Sequence, residues 1–62
     1  MFKEGDIVRI KPEWLEQGED PTRLYVIENV NNYTNRCYIT ELYPELPFPG
    51  SNLVGFEMIE KI

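Results

Sequence analysis

Leu24-Tyr25-Val26-Ile27-Glu28-Asn29-Val30 is the stretch on which the fold turns. β-Branched and aromatic side chains dominate it and neither glycine nor proline interrupts it, so it reads as a central strand. Downstream, Asn31-Asn32-Tyr33-Thr34-Asn35 is rich in residues that tolerate a positive φ, and a second β-branched run, Arg36-Cys37-Tyr38-Ile39-Thr40-Glu41-Leu42, follows it. Two such runs across a short polar stretch predict a hairpin. Upstream, a Gly5-Asp6 turn feeds Ile7-Val8-Arg9-Ile10, a first strand in which Val8 and Ile10 face a core and Arg9 faces water.

Between the first two strands lies a long excursion. Pro12 suits a first helical position, acids follow it and Gly18 can close the segment in a left-handed conformation, so one helical turn over 12–18 is expected inside a loop that Glu19-Asp20-Pro21-Thr22 prolongs. The segment Pro44-Glu45-Leu46-Pro47-Phe48-Pro49-Gly50 carries three prolines, whose missing amide protons forbid a central strand. Residues 51–62 have room for a short strand, a tight turn at Gly55 and a closing strand.

Sixty-two residues hold one small domain, here 1–62, that must fold around a modest core. Four or five short strands and no long helix predict an all-β domain. The architecture expected is a small barrel of about five short strands with a long first loop, since closure protects the edges. An α+β meander is the alternative, but the 12–18 segment is too short to cover a sheet. The chain reads as a complete small protein.

Six Lys and Arg stand against eleven Asp and Glu with no histidine, a formal charge of −5 that repels phosphate backbones and disfavours a general polyanion binder. The single Cys37 allows no intrachain disulfide, and without histidine it leaves no four-ligand zinc site; no metal and no cofactor are expected. Charged residues interrupt the first ten positions and no apolar run approaches the roughly 18 residues of a membrane span. A cytoplasmic address is the expectation.

Histidine-assisted nucleophilic catalysis is excluded by composition, and with it the Ser-His-Asp and Cys-His arrangements. Cys37, in a strand beside Tyr38 and Ile39, reads as a small buried hydrophobe, since an activated thiolate needs more cationic support than Arg36 offers. Glu13, Glu16, Glu19 and Asp20 form the densest acidic group, yet their spacing matches neither a calcium loop nor an acid and base pair. They read as a solvated loop face that can meet a basic partner. The protein is therefore expected not to be an enzyme.

Gly5-Asp6-Ile7-Val8-Arg9-Ile10 resembles the opening strand of SH3-like small barrels, in which a Gly-Asp turn precedes a Val-Arg-Ile type run and a long loop follows. That superfamily includes KOW-type nucleic-acid modules, Tudor-like readers and small subunits of enzyme complexes. Val8-Arg9-Ile10 followed by Pro12-Glu13, with Asn52 and Phe56 ahead of the closing strand, is distantly similar to the small SH3-like peripheral subunit of photosystem I, whose docking surfaces are basic where this chain is acidic. The pattern also looks like small bacterial and prophage proteins that open with a Gly-Asp strand and a Pro-Glu-Trp loop. In such barrels the binding surface lies between the long first loop and its neighbours.

Trp14, Tyr25, Tyr33, Tyr38, Tyr43 and Phe48 supply more aromatic surface than so small a core can hide. With the acidic loop, this surplus leads to the expectation of a non-catalytic protein-interaction module that binds another protein through Trp14, Glu13, Glu16, Tyr33, Tyr43 and Phe48. A competing reading folds Trp14 back as a lid over the barrel. The alternative function is a KOW-like nucleic-acid-binding accessory whose local basic face gathers Arg9, Lys11, Arg23 and Arg36. An acidic mimic of nucleic acid is a third, weaker reading at −5. No membrane contact is expected, and the chain is expected to be a monomer or a weak homodimer.

Overall fold

The computed structural model describes residues 1–44 and 50–62. Among these residues five antiparallel strands form a single sheet: β1 (Ile7–Ile10), β2 (Tyr25–Asn31), β3 (Arg36–Glu41), β4 (Ser51–Gly55) and β5 (Ile59–Lys61). Their order is β4-β3-β2-β1-β5, so the last strand returns to pair with the first. The expected all-β, barrel-like architecture with a long first loop is present, and the ladder stops short of joining β4 to β5. Among the described residues the only helical elements are two 3₁₀ turns, Pro12–Trp14 and Phe56–Met58. No helix among them is long and apolar enough to cross a membrane.

Three sequence expectations shift in detail. The turn expected over 12–18 contracts to Pro12–Trp14, because Leu15 is already extended at ψ 140; a separate bend follows, with Gly18 at φ +93. The tight turn expected at Gly55 falls one residue later, as the 3₁₀ turn Phe56–Met58 that Gly55 leads into in an extended conformation at φ −82. β2 also carries an irregularity that simple alternation misses, a register shift between Ile27 and Asn29. Glu28 is the extra residue, so Val30 faces Cys37 from the core side while Asn29 faces Tyr38 on the other surface.

The core is Val8, Tyr25, Ile27, Cys37, Ile39, Val54 and Ile59, with Phe2, Ile10, Val30, Phe56 and Met58 packed around it. Ile27 and Ile39 are directly opposed across the β2–β3 ladder and both are fully buried. The Gly5-Asp6 turn is pinned on the same strand: the Gly5 N–H donates to the Ile27 carbonyl at 2.8 Å and the Ile27 N–H to the Asp6 carbonyl at 3.0 Å. Gly5 does this at φ +89, where a side chain would be strained. Asp6 also accepts from the Lys3 N–H at 3.0 Å and pairs with the Lys61 ammonium at 3.2 Å, tying the two chain ends together. The Lys3 N–H, with help from Lys61 and against partial desolvation, holds the Asp6 carboxyl below its ordinary value.

Replacing Ile39, which has no exposed surface, by Ala is expected to cost about 2–5 kcal/mol. That is comparable to the whole stability of a domain this small, so the variant should lose its cooperative thermal transition at 37 °C. The Asp6 shift has a defined sign. A carboxyl whose folded value is depressed stabilises the fold above its unfolded value of ~3.9, and that contribution is lost as pH falls through the folded value. Urea midpoints of wild type and Asp6→Asn should differ at pH 6 and converge as pH falls through the depressed folded value.

Candidate functional site

One shallow groove, about 690 Å³, opens where the β2–β3 hairpin meets β4. Its floor and walls are built from the outward-facing residues of three neighbouring strands. Cys37 and Ile39 point into the core, so Tyr38 between them points out, and the register sets it between Asn29 on β2 and Leu53 on β4. Tyr38 is 44 % and Leu53 50 % exposed. Beside this row Arg36 extends from the start of β3, opposite Asn31. The hairpin tip supplies Tyr33, which is wholly exposed.

The tip is held in shape by its own backbone. The Asn31 side-chain oxygen accepts from the N–H groups of Tyr33 (3.0 Å) and Thr34 (3.2 Å), and Asn35 takes the left-handed conformation at φ +56. The Asn35 carbonyl accepts from the Phe56 N–H at 2.9 Å, and the Met58 carbonyl accepts from the Lys11 N–H at 2.9 Å. The second 3₁₀ turn is thus a crosspiece that ties the hairpin to the root of the first loop.

The other sequence-derived residues lie elsewhere. Glu13 and Trp14 share the first 3₁₀ turn and Glu16 follows two residues later; none of the turn's residues is buried. Trp14 is 47 % exposed and is not among the partly buried hydrophobics packed against the core. Tyr25 is the aromatic that does enter the core. Tyr43 is exposed just beyond Leu42, whose N–H donates to the Leu24 carbonyl at 3.0 Å. That places Tyr43 by the end of the first loop, the length of β3 away from Tyr33, roughly 20 Å for six residues. Phe48 lies outside the described residues. The structure brings Tyr33 and Arg36 together, and adds Asn29, Tyr38 and Leu53, which the sequence reading had not selected as a site.

The cations are separated and partly neutralised. Arg9 is bound to Glu60 at 2.7 Å and Arg23 to Glu41 at 2.8 Å. Arg9, Lys11 and Arg23 flank the end of the sheet where the first loop begins and ends, whereas Arg36 is at the hairpin end. Among the described residues no carboxylate lies within ion-pair distance of Arg36. The acidic loop residues satisfy one another's backbone: Glu19 accepts from the Glu16 N–H at 2.9 Å, and Asp20 accepts from the Thr22 hydroxyl and N–H. The two Thr22 bonds lower the Asp20 carboxyl below its ordinary value. Among the described residues no three His, Cys, Asp or Glu side chains converge as metal ligands.

Cys37 borders the groove and is buried in the core, where burial raises the thiol above its ordinary value. No protein-family model, curated protein or solved structure matches the chain. Since a buried neutral thiol is a poor nucleophile, a disulfide reagent at pH 8 should label Cys37 only as fast as the protein opens. Labelling at the rate of a free thiol in folded protein would show an accessible group instead.

Proposed function

We propose that the protein is a non-catalytic interaction module of the SH3-like small-barrel type, and that it takes a protein partner at the groove beside the β2–β3 hairpin. The observation that carries this reading is the groove's composition. Two tyrosines and a leucine are left exposed on strands and a pinned hairpin, beside one arginine and three asparagines. Such a surface offers apolar area at low entropy cost together with donors that fix orientation. It suits an extended segment with an apolar or aromatic side chain next to a carbonyl or carboxylate acceptor. Support for the family reading comes from the four-strand meander, the long first loop and the short fifth strand paired back on β1.

A protein ligand is favoured over nucleic acid because Arg9 and Arg23 are engaged by carboxylates, and Arg36 stands at the opposite end of the sheet. A polyanion track needs several cations along one path. Trp14 with the acidic first loop forms a separate patch.

The test is capture from the source lysate on the tagged chain, with and without nuclease, alongside Tyr38→Ala, Trp14→Ala and Arg9→Ala. The expected result is one protein retained in both halves. Its recovery should fall about fivefold or more for Tyr38→Ala, the ~1 kcal/mol of a truncated interface aromatic, and stay unchanged for Arg9→Ala. Capture that vanishes with nuclease, or with Arg9→Ala, overturns the reading in favour of a nucleic-acid accessory. Loss confined to Trp14→Ala moves the contact to the first loop.

A further inference from the structure

The sheet has two edges, and only one is defended. β5 is three residues long and two of them are charged and paired: Glu60 with Arg9 and Lys61 with Asp6. β4, Ser51-Asn52-Leu53-Val54-Gly55, has neither charge nor proline, and among the described residues no strand pairs with its outer edge. Uncharged, straight edges are the ones that recruit another strand.

Which backbone groups are open follows from one bond. The Phe56 N–H donates to the Asn35 carbonyl, one residue beyond the Gly55↔Arg36 pair, so Gly55 and Arg36 do not bond each other through their own N–H and C=O groups. Alternation then makes Val54↔Cys37 and Asn52↔Ile39 the bonded pairs. The N–H and C=O groups of Ser51, Leu53 and Gly55 therefore point away from β3. The Gly55 N–H leans on the Met58 sulfur at 3.5 Å, a weak acceptor, leaving Leu53 and Ser51 as the open donors.

We propose that this edge takes a second copy of the same chain, β4 against β4, antiparallel, with the two-fold axis at Leu53. The inference goes beyond the groove reading and needs no other partner. In that register Leu53 faces Leu53 and exchanges both of its main-chain hydrogen bonds, and each Ser51 N–H faces the other copy's Gly55 carbonyl. The side chains match on the same register. Tyr38, Leu53, Leu53 and Tyr38 form one continuous apolar row across the seam, because Tyr38 and Leu53 are cross-strand neighbours within each copy.

The flanking row is complementary as well. The Glu57 carboxylate lies over Gly55, with an oxygen 2.5 Å from where a Cβ would be. Opposite Gly55 the second copy presents Ser51, whose hydroxyl is 3.4 Å from that of Thr40 and can donate to the carboxylate. The two-fold makes this contact twice. No charged residue of β4 meets its own copy, so the −5 of each chain acts only at a distance. A contact five residues long falls well below the ~1,200 Å² of a standard stable interface, so the association is weak and concentration-dependent.

Sedimentation velocity on the full chain from about 10 µM to 1 mM tests it, with the chain also made by synthesis carrying an N-methyl group on Leu53. That group removes the open N–H and leaves the β3 ladder intact. Wild type should move toward the dimer value with concentration, while the N-methyl chain, folded by circular dichroism, should have a dissociation constant at least about tenfold higher. Leu53→Lys, at a half-exposed position, provides a second folded variant and should dissociate the pair most at low salt. Wild type that stays monomeric to 1 mM overturns the proposal. So does a folded N-methyl or Leu53→Lys chain that associates like wild type.

Discussion

The opposition of Ile27 and Ile39 across the β2–β3 ladder is the contact on which the remaining structure depends. Both side chains are fully buried, and each is a branched group worth about 1.5–3 kcal/mol when removed from water. A chain of 62 residues without a disulfide has few such groups to offset its ordering entropy. Around this pair β1 contributes Val8, β4 contributes Val54 and β5 contributes Ile59, one buried aliphatic from each remaining strand. The Gly5-Asp6 turn closes on the Ile27 main chain itself, so packing and hydrogen bonding meet at one residue.

The bulge immediately after Ile27 links this core to the groove. Strict alternation from Tyr25 and Ile27 would turn Asn29 inward and Val30 outward, burying an amide and exposing a valine. The extra residue, Glu28, reverses both: Val30 meets Cys37 and Asn29 meets Tyr38. The same irregularity therefore completes the core and equips the outer face with a polar neighbour for Tyr38. Deleting Glu28 would remove the bulge yet leave Asn29 outward and Val30 inward in plain alternation, so the bulge absorbs the extra residue without flipping either face.

Strand positions were legible because β-branched runs and turn residues are local signals: Ile7–Ile10 matches β1, and the runs at 24–30 and 36–42 match β2 and β3 within a residue. The three-residue step from Ile27 to Val30 was a visible sign of the bulge. Which aromatics remain outside was only half legible. Tyr25 and Tyr38 both sit in strands and differ by which face they occupy, as alternation with Ile27 and with Cys37 and Ile39 indicates. Leu53 was not legible, because its place opposite Tyr38 depends on where the chain re-enters the sheet after the proline-rich segment. Distances between loops are equally non-local, which is why Tyr33 and Tyr43, ten residues apart, fall at opposite ends of β3.

Charge completes the division of the surface. Three of the six cations are held by Glu60, Glu41 and Asp6, all on or beside the strands, so the acidic excess falls largely on the first loop with Glu13, Glu16, Glu19 and Asp20. That loop is rooted at Lys11 and ends at Leu24, on the far side of β2 from the hairpin tip. The hairpin tip and β4 carry Arg36 as their charged group, with Glu57 just beyond β4, and Tyr33, Tyr38 and Leu53 as their exposed apolar ones. Long-range repulsion and short-range apolar contact are thus assigned to different ends of a very small molecule. A partner approaching at physiological salt, where fields decay over about 8 Å, meets the apolar end with little of the loop's field in force.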